Sequence, residues 1–411
     1  MKGLGHEIIL GDYMDSKFQI FALLGICLCI VSIPVSSEEI TVPGDLDSDR
    51  IVSDQELEAA ENSCKAGKIS TEDFEYIRHV HFEYPRTITD SAGHEITFWK
   101  PVERIVCFSS DAYEVLKSLK AHELVVGIDG YSIMKEAYFP ELDSTTSIGI
   151  YPYDMEVVMG LSPDLVLRGA YGGYGEDTKK RLELGDPRIT VALLDFWEQS
   201  TYVDEIRKLG YILEKEDEVE EYLEFYSDHI DRITKAVEPL SNDEKPRVYL
   251  EGPTDYSSYA EGDDWRFNRL ELAGGYNIFG DSPVRYPTVD PESVLVKDPE
   301  IVLKYFGYGD LRFGGYYDDD PTAPEALRQK MIGRPGWENI TAVKNGQVYV
   351  LSNEILGGAS HLVGIAYLAK LFQPELFLDM DPIAIHQEYL TRFQGLDYDV
   401  REHGIFIYPY P

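Results

Sequence analysis

The chain has 411 residues, 44% of them hydrophobic, which is more than one domain usually holds and enough for real cores. Lys and Arg number 37 against 74 Asp and Glu, so the net charge of −37 repels nucleic acid and anionic lipid headgroups and argues against a DNA- or RNA-binding role. The same acidity serves solubility or a cationic partner, and the 29 tyrosines stand out beside 4 Trp and 9 His.

Residues 1–37 carry an address. "SKFQIFALLGICLCIVSIPVSSEE" has a lysine, an apolar run from Phe18 to Val35 and then small polar residues, the pattern of a secretory leader started at Met14. Uncleaved, the same run is long enough for an N-terminal membrane anchor. Cys27 and Cys29 lie inside it, leaving Cys64 and Cys107. Two cysteines in different units make no disulfide framework, and Cys107, in a strand-like stretch, reads as a small buried apolar residue.

Residues 38–83 form a small acidic unit. "DLDSDRIVSDQE" sets Asp45, Asp47, Asp49, Ser53 and Glu56 at loop positions 1, 3, 5, 9 and 12, with Ile51 offering its carbonyl at position 7. That spacing converges oxygens on a hard cation, so Ca²⁺ is the expected ligand. Arg50 stands where the pattern wants glycine. A second stretch, "AGKISTEDFEYIRHV", copies the end of such a loop without its carboxylates. The pair resembles an EF-hand unit of dockerin type with one live loop; an acidic helical spacer is the alternative.

From Arg86 the texture alternates. "RIVCFSSDAYEVLKSLKA" is a strand, a Ser/Asp cap and a helix, and "ELVVGID", "PDLVLRG" and "ITVALLDF" read as further strands. A second series runs from "RVYLEG" through "PEIVLKYFG" and "GQVYVLS" to "HLVGIAYLAKLF". Strands alternating with short helices imply parallel sheets covered on both faces. The expected fold class is therefore α/β, with lobes over 86–201 and 245–411. Between them, apolar residues from Ile206 to Ile233 recur on one face, predicting a single long rigid helix over 202–240 whose weak point is Gly210.

The two series share a phrase. "DMEVVMGLSPDLVL" from Asp154 and "DPESVLVKDPEIVL" from Asp290 align at one offset of 136 residues, bringing Glu156 onto Glu292, Pro163 onto Pro299 and Asp164 onto Glu300. Asp154 and Asp290 read as N-caps, which puts Glu156 and Glu292 in the first turns of equivalent helices, where the dipole favours an acid.

Together with "NRLELAGGYNIFGD" and "RPGWENITAVKNGQVYVLSNE", these motifs over roughly 86–385 resemble the iron-siderophore and vitamin B12 substrate-binding proteins of ABC importers. The resemblance implies two Rossmann-like lobes, a monomer, a metal-chelate ligand captured in the cleft (ferric siderophore first, corrinoid or haem second) and delivery to an ABC permease dimer docked through Glu156 and Glu292. In such folds ligands bind beyond the carboxyl ends of the strands. The loops there supply Arg168, Tyr171, Tyr174 and Trp197 in the first lobe. The second offers Tyr256, Tyr259, Trp265, Arg266, Arg285, Tyr286 and Tyr308. Flat aromatics and guanidinium groups suit a bulky chelate better than a bare ion, which would need several His and carboxylates in the loops. His361 reads as a cap or core residue, with a cleft role as the alternative. No nucleophile elbow, zinc-protease motif or phosphate loop occurs, so no catalysis is expected. The rival from another class is a surface adhesion or scaffold protein docking a partner through its calcium unit.

Overall fold

Two five-stranded sheets carry the architecture, in a computed structural model that describes residues 40–260, 264–306 and 313–410. The leader expected over 1–37 and Tyr308 lie outside the described residues. Two short antiparallel strands, β1 (Arg86–Thr89) and β2 (Glu95–Phe98), form a hairpin ahead of the first sheet.

The first sheet holds β3 (Ile105–Cys107), β4 (Val125–Ile128), β5 (Thr146–Ser147), β6 (Leu165–Arg168) and β7 (Thr190–Leu193), all parallel, in the order β5-β4-β3-β6-β7. The second holds β8 (Arg247–Glu251), β9 (Tyr276–Asn277), β10 (Ile301–Phe306), β11 (Val348–Ser352) and β12 (Ile407–Tyr408), with β12 antiparallel at the edge. Each chain path runs outward one way and then returns to build the other side. The direction therefore switches between β3 and β6 and between β8 and β10, and crevices open beyond the strand ends at such points. Central strands such as "IVC" and "LVL" are buried on both faces, as parallel strands covered by helices must be. Cys107 is among them, fully buried as expected.

The repeated phrase is a repeated structure. Asp154 and Asp290 cap the short helices Met155–Gly160 and Pro291–Lys297, accepting from the N–H groups of Glu156 and Glu292. Each helix then passes through a left-handed residue before proline, Ser162 (φ 47°) and Asp298 (φ 41°). Asp164 and Glu300 next accept backbone N–H groups of Arg104, just before β3, and of Arg247, the first residue of β8. Those arginines turn back to donate to Leu161 and Ser162, and to Asp298, capping the helix carbonyls. Acid and arginine thus latch a helix end to a strand start in both lobes.

The span expected as one helix over 202–240 is two, Tyr202–Leu213 and Glu216–Val237. The break falls at Glu214, which is left-handed (φ 56°), four residues beyond the suspected Gly210. Gly210 is instead a contact: a Cβ there would collide with Val219 of the second helix, so the two helices pack at this point. The corner is gripped from outside. Tyr84 and His79 bond the Glu214 carboxylate, and Arg86 donates to the Tyr211 carbonyl and pairs with Glu216 at 2.6 Å. The connection between the lobes is the helix Glu216–Val237.

These gripping residues belong to or follow the N-terminal helices Asp54–Lys65 and Thr71–Glu83, both opened by capping boxes (Ser53 with Glu56, Ser70 with Asp73). Val42, Val52, Ile77 and Val80 enter the same apolar core as both lobes. The segment expected as a separate unit over 38–83 is therefore continuous with the body it precedes. Among the described residues, no helix is long and apolar enough to cross a membrane.

Candidate functional site

The carboxyl ends of the two sheets meet across a cavity of about 260 Å³. Its walls are Trp197, in the loop after β7, and Trp265, at the start of the helix Trp265–Leu272 that Asp264 caps. One tryptophan comes from each lobe, and both were expected at the site. The floor was not. It is polar, with Asp111, Glu114 and Lys135 from the first lobe and Glu354 and Gly358 from the second.

Asp111 and Glu114 sit in the helix Ser110–Ser118 that follows β3, the strand at the switch point. Burial pushes the Glu114 carboxyl up to about 7, against the hydroxyls of Tyr138 and Tyr389, which donate to it. Burial also raises Asp111 above the usual carboxylate range, with Lys135 and Arg269 pulling the other way. Burial opposes the charge on Lys135, but Glu354, Asp111 and Glu114 outweigh it and raise its pKa. Lys135 reaches Glu354 of the other lobe at 3.5 Å, and Tyr138 stacks on Tyr316 of that lobe at 4.6 Å. The lobes are tied together at their base.

Above the floor lies an aromatic and arginine-bearing rim. Arg168 ends β6 with its guanidinium over the rings of Phe108 (5.6 Å) and Tyr153 (5.4 Å). Tyr171 is exposed and edge-on to Trp197, and Tyr174 is exposed and edge-on to Tyr151. Tyr131, Tyr151 and Tyr153 fall on the loops after β4 and β5, so each loop from β4 to β7 brings an aromatic to this end; these three escaped the sequence reading. In the second lobe, the buried carboxylate of Asp264 pairs with Arg266 at 2.8 Å and lies 3.9 Å from Arg285. Arg266 and Arg269 flank the ring of Trp265 at 4.3 and 4.6 Å, and Arg285 covers the exposed Tyr286.

Two expected residues turn away from the cleft. Tyr256, left-handed at φ 55°, donates its N–H to Glu251 and lies under Arg334 in the lobe's outer core, because the loop folds back over β8. Tyr259 is buried against Tyr305 and supports Arg266 from below. His361 is a core residue: its Nδ1 meets the Gly358 carbonyl, its Nε2 meets Tyr226, and burial holds its pKa well below the usual value.

The missed floor had one readable signal, a helix with two acids opening directly after the first strand of the sheet. Lys135 and Glu354 had none, since each lies on a different lobe and only the meeting of the lobes joins them.

This arrangement, two α/β lobes about one cleft, is that of a solute-binding protein. Residues 105–355 match the periplasmic binding protein family, and the chain belongs to it. It is similar to the uncharacterized ABC transporter substrate-binding lipoprotein YvrC of Bacillus subtilis, 23% identical over 72% of this chain and 87% of that one. The molybdate-binding protein MolA of Haemophilus influenzae is 22% identical over 76% of this chain and 92% of its own length. Among solved structures, the TroA-like periplasmic binding protein FepB from Veillonella parvula is 26% identical, covers 79% of this chain and 99% of its own, and superposes with a TM-score of 0.67. The protein is a substrate-binding component of an ABC transporter, a binder of small molecules and not an enzyme.

Proposed function

We propose that the chain captures a metal chelate between its lobes, a ferric siderophore before a corrinoid or haem, and delivers it to an ABC permease dimer. The observation that supports this most is the facing pair Trp197 and Trp265 beneath a rim of tyrosines and arginines. Flat rings bury a large ligand, and guanidinium groups bind its chelating oxygens. A bare molybdate dianion, the ligand in the name of one relative, suits the acidic floor poorly. An absorbance spectrum of protein purified from its source tests the reading. A ferric-chelate, corrinoid or haem band is expected, and a colourless protein that binds none of these chromophores on titration refutes it.

Docking is assigned to Glu156 and Glu292. Both are exposed at the starts of equivalent helices, one per lobe, as a permease of two equivalent subunits would require. Reversing both charges to Arg should abolish transporter-stimulated ATP hydrolysis while leaving chelate affinity intact; undiminished stimulation would return both acids to helix capping.

The loop Asp45–Glu56 is proposed to bind Ca²⁺. In support, ligand oxygens of Asp45, Asp47 and Asp49 lie within 4.8 Å of one another, and Arg50 already adopts the left-handed turn (φ 72°) that the pattern reserves for glycine. Glu56 now accepts from Leu46 and Ser53, so it would exchange those bonds for the ion while the Ile51 carbonyl completes the loop. Calcium should raise the melting temperature of the full chain, and Asp45→Asn with Glu56→Gln should remove that increment.

A further inference from the structure

The cavity floor sets a chemical requirement that the rim does not. Three carboxylates, Asp111, Glu114 and Glu354, share it with one ammonium, that of Lys135. Lys135 stands 3.5 Å from Glu354, and Glu114 is held by two tyrosine hydroxyls. Asp111 has only its neighbour Ser110 at 3.5 Å, and no basic group within 4.0 Å among the described residues. Asp111 is only partly buried and lines the cavity, so its carboxylate is open to a ligand there. Gly358 of the other lobe, left-handed at φ 65°, packs so close that a Cβ would lie 2.6 Å from Asp111 Oδ1, so glycine is what lets the two lobes approach at this carboxylate. Trp197 carries no guanidinium or ammonium over its ring among the described residues, whereas Trp265 carries two. A net charge of −37 draws cations toward such a cleft.

We propose that this floor is an ammonium subsite. The ligand carries a cationic amine at one end, which passes beneath the two tryptophans and lies against Asp111 and Glu354 while its chelating oxygens face the arginines of the rim. This rests on the chelate reading above and adds a charge requirement to it: the cargo is a chelate with a free amine, not a wholly anionic complex.

Quenching of tryptophan fluorescence in the full-length protein measures it directly, with two probes. One is a linear ferric trihydroxamate bearing a free terminal ammonium, and the other is the same chelate N-acetylated. The ammonium form should bind at least ~10-fold more tightly, the range of one charge-assisted contact. Asp111→Asn, which keeps the side-chain shape, should bring the ratio of the two affinities close to one, and Glu354→Gln should reduce it. Equal affinities, or a ratio that Asp111→Asn does not move, would overturn the subsite and leave the chelate reading standing. If neither chelate binds, the chelate reading falls and the subsite with it.

Discussion

Arg168 and Lys304 occupy the same place in the two lobes, separated by the same 136 residues as Glu156 and Glu292, yet they have opposite fates. Arg168 ends β6 at the cleft, with its guanidinium over Phe108. Lys304 lies inside β10, 1% exposed, paired with Glu251 at 3.3 Å and bonded to the Pro253 carbonyl. The difference is the residue beside each cation on the neighbouring strand. After β3 it is Phe108, a neutral ring that leaves the charge to seek water or ligand; at the end of β8 it is Glu251, in register with Lys304. One neighbour makes a cation available for binding, and the other locks it into the core.

The comparison breaks most severely at Glu251. Glu251→Gln would leave Lys304 and Arg334 sharing only the more exposed Asp255, so a stability loss of about 3 kcal/mol, the lower end for a broken buried pair, is expected from urea unfolding. A loss below about 1 kcal/mol would show that the cluster tolerates unpaired charge.

Glu114 sharpens the contrast, because this buried acid has tyrosine hydroxyls where Glu251 has cations. Its folded pKa of about 7 lies above the ordinary carboxyl value of 4.5, so the folded state favours the proton. That contribution is complete below the unfolded pKa and is lost as pH rises through the folded one. Stability should therefore fall by about 2–3 kcal/mol between pH 4.5 and 7 from this group alone. Glu114→Gln should flatten that stretch of the stability–pH curve; an unchanged slope would assign it to other groups.

On the binding side, Trp265→Ala should weaken chelate affinity by about 2 kcal/mol, as a central aromatic anchor does. Titration of the variant reads this, and unaltered affinity would remove Trp265 from the ligand's path. The smallest effect is expected at Arg168. Its replacement by Ala should cost about 1 kcal/mol of affinity and little stability, because its partners are two aromatic rings at a half-open rim. A larger loss of stability than of affinity would make Arg168 a second Lys304.

Local chemistry made much of this protein legible from its residues. Caps at Asp154 and Asp290, apolar runs for the central strands and the repeated phrase each depend on contacts within a few residues, and all of them appear in the structure. Trp197 and Trp265 line the cavity, on the segments that follow β7 and β8. The corner at Glu214 was hidden, since its left-handed turn is held by His79, Tyr84 and Arg86 from another part of the chain. Tyr256 and Tyr259 were misplaced for a related reason: composition marks a loop as aromatic but not which side of the sheet it folds over. The cavity floor was the least readable part. Asp111, Lys135, Glu354 and Gly358 are unremarkable residues that come together only where the two lobes meet, and the shifted pKa values of Asp111 and Lys135 arise there. The sequence determines elements because their bonds are short-range; the tertiary structure alone decides the site, because burial and charge pairing are properties of residues brought together from far apart.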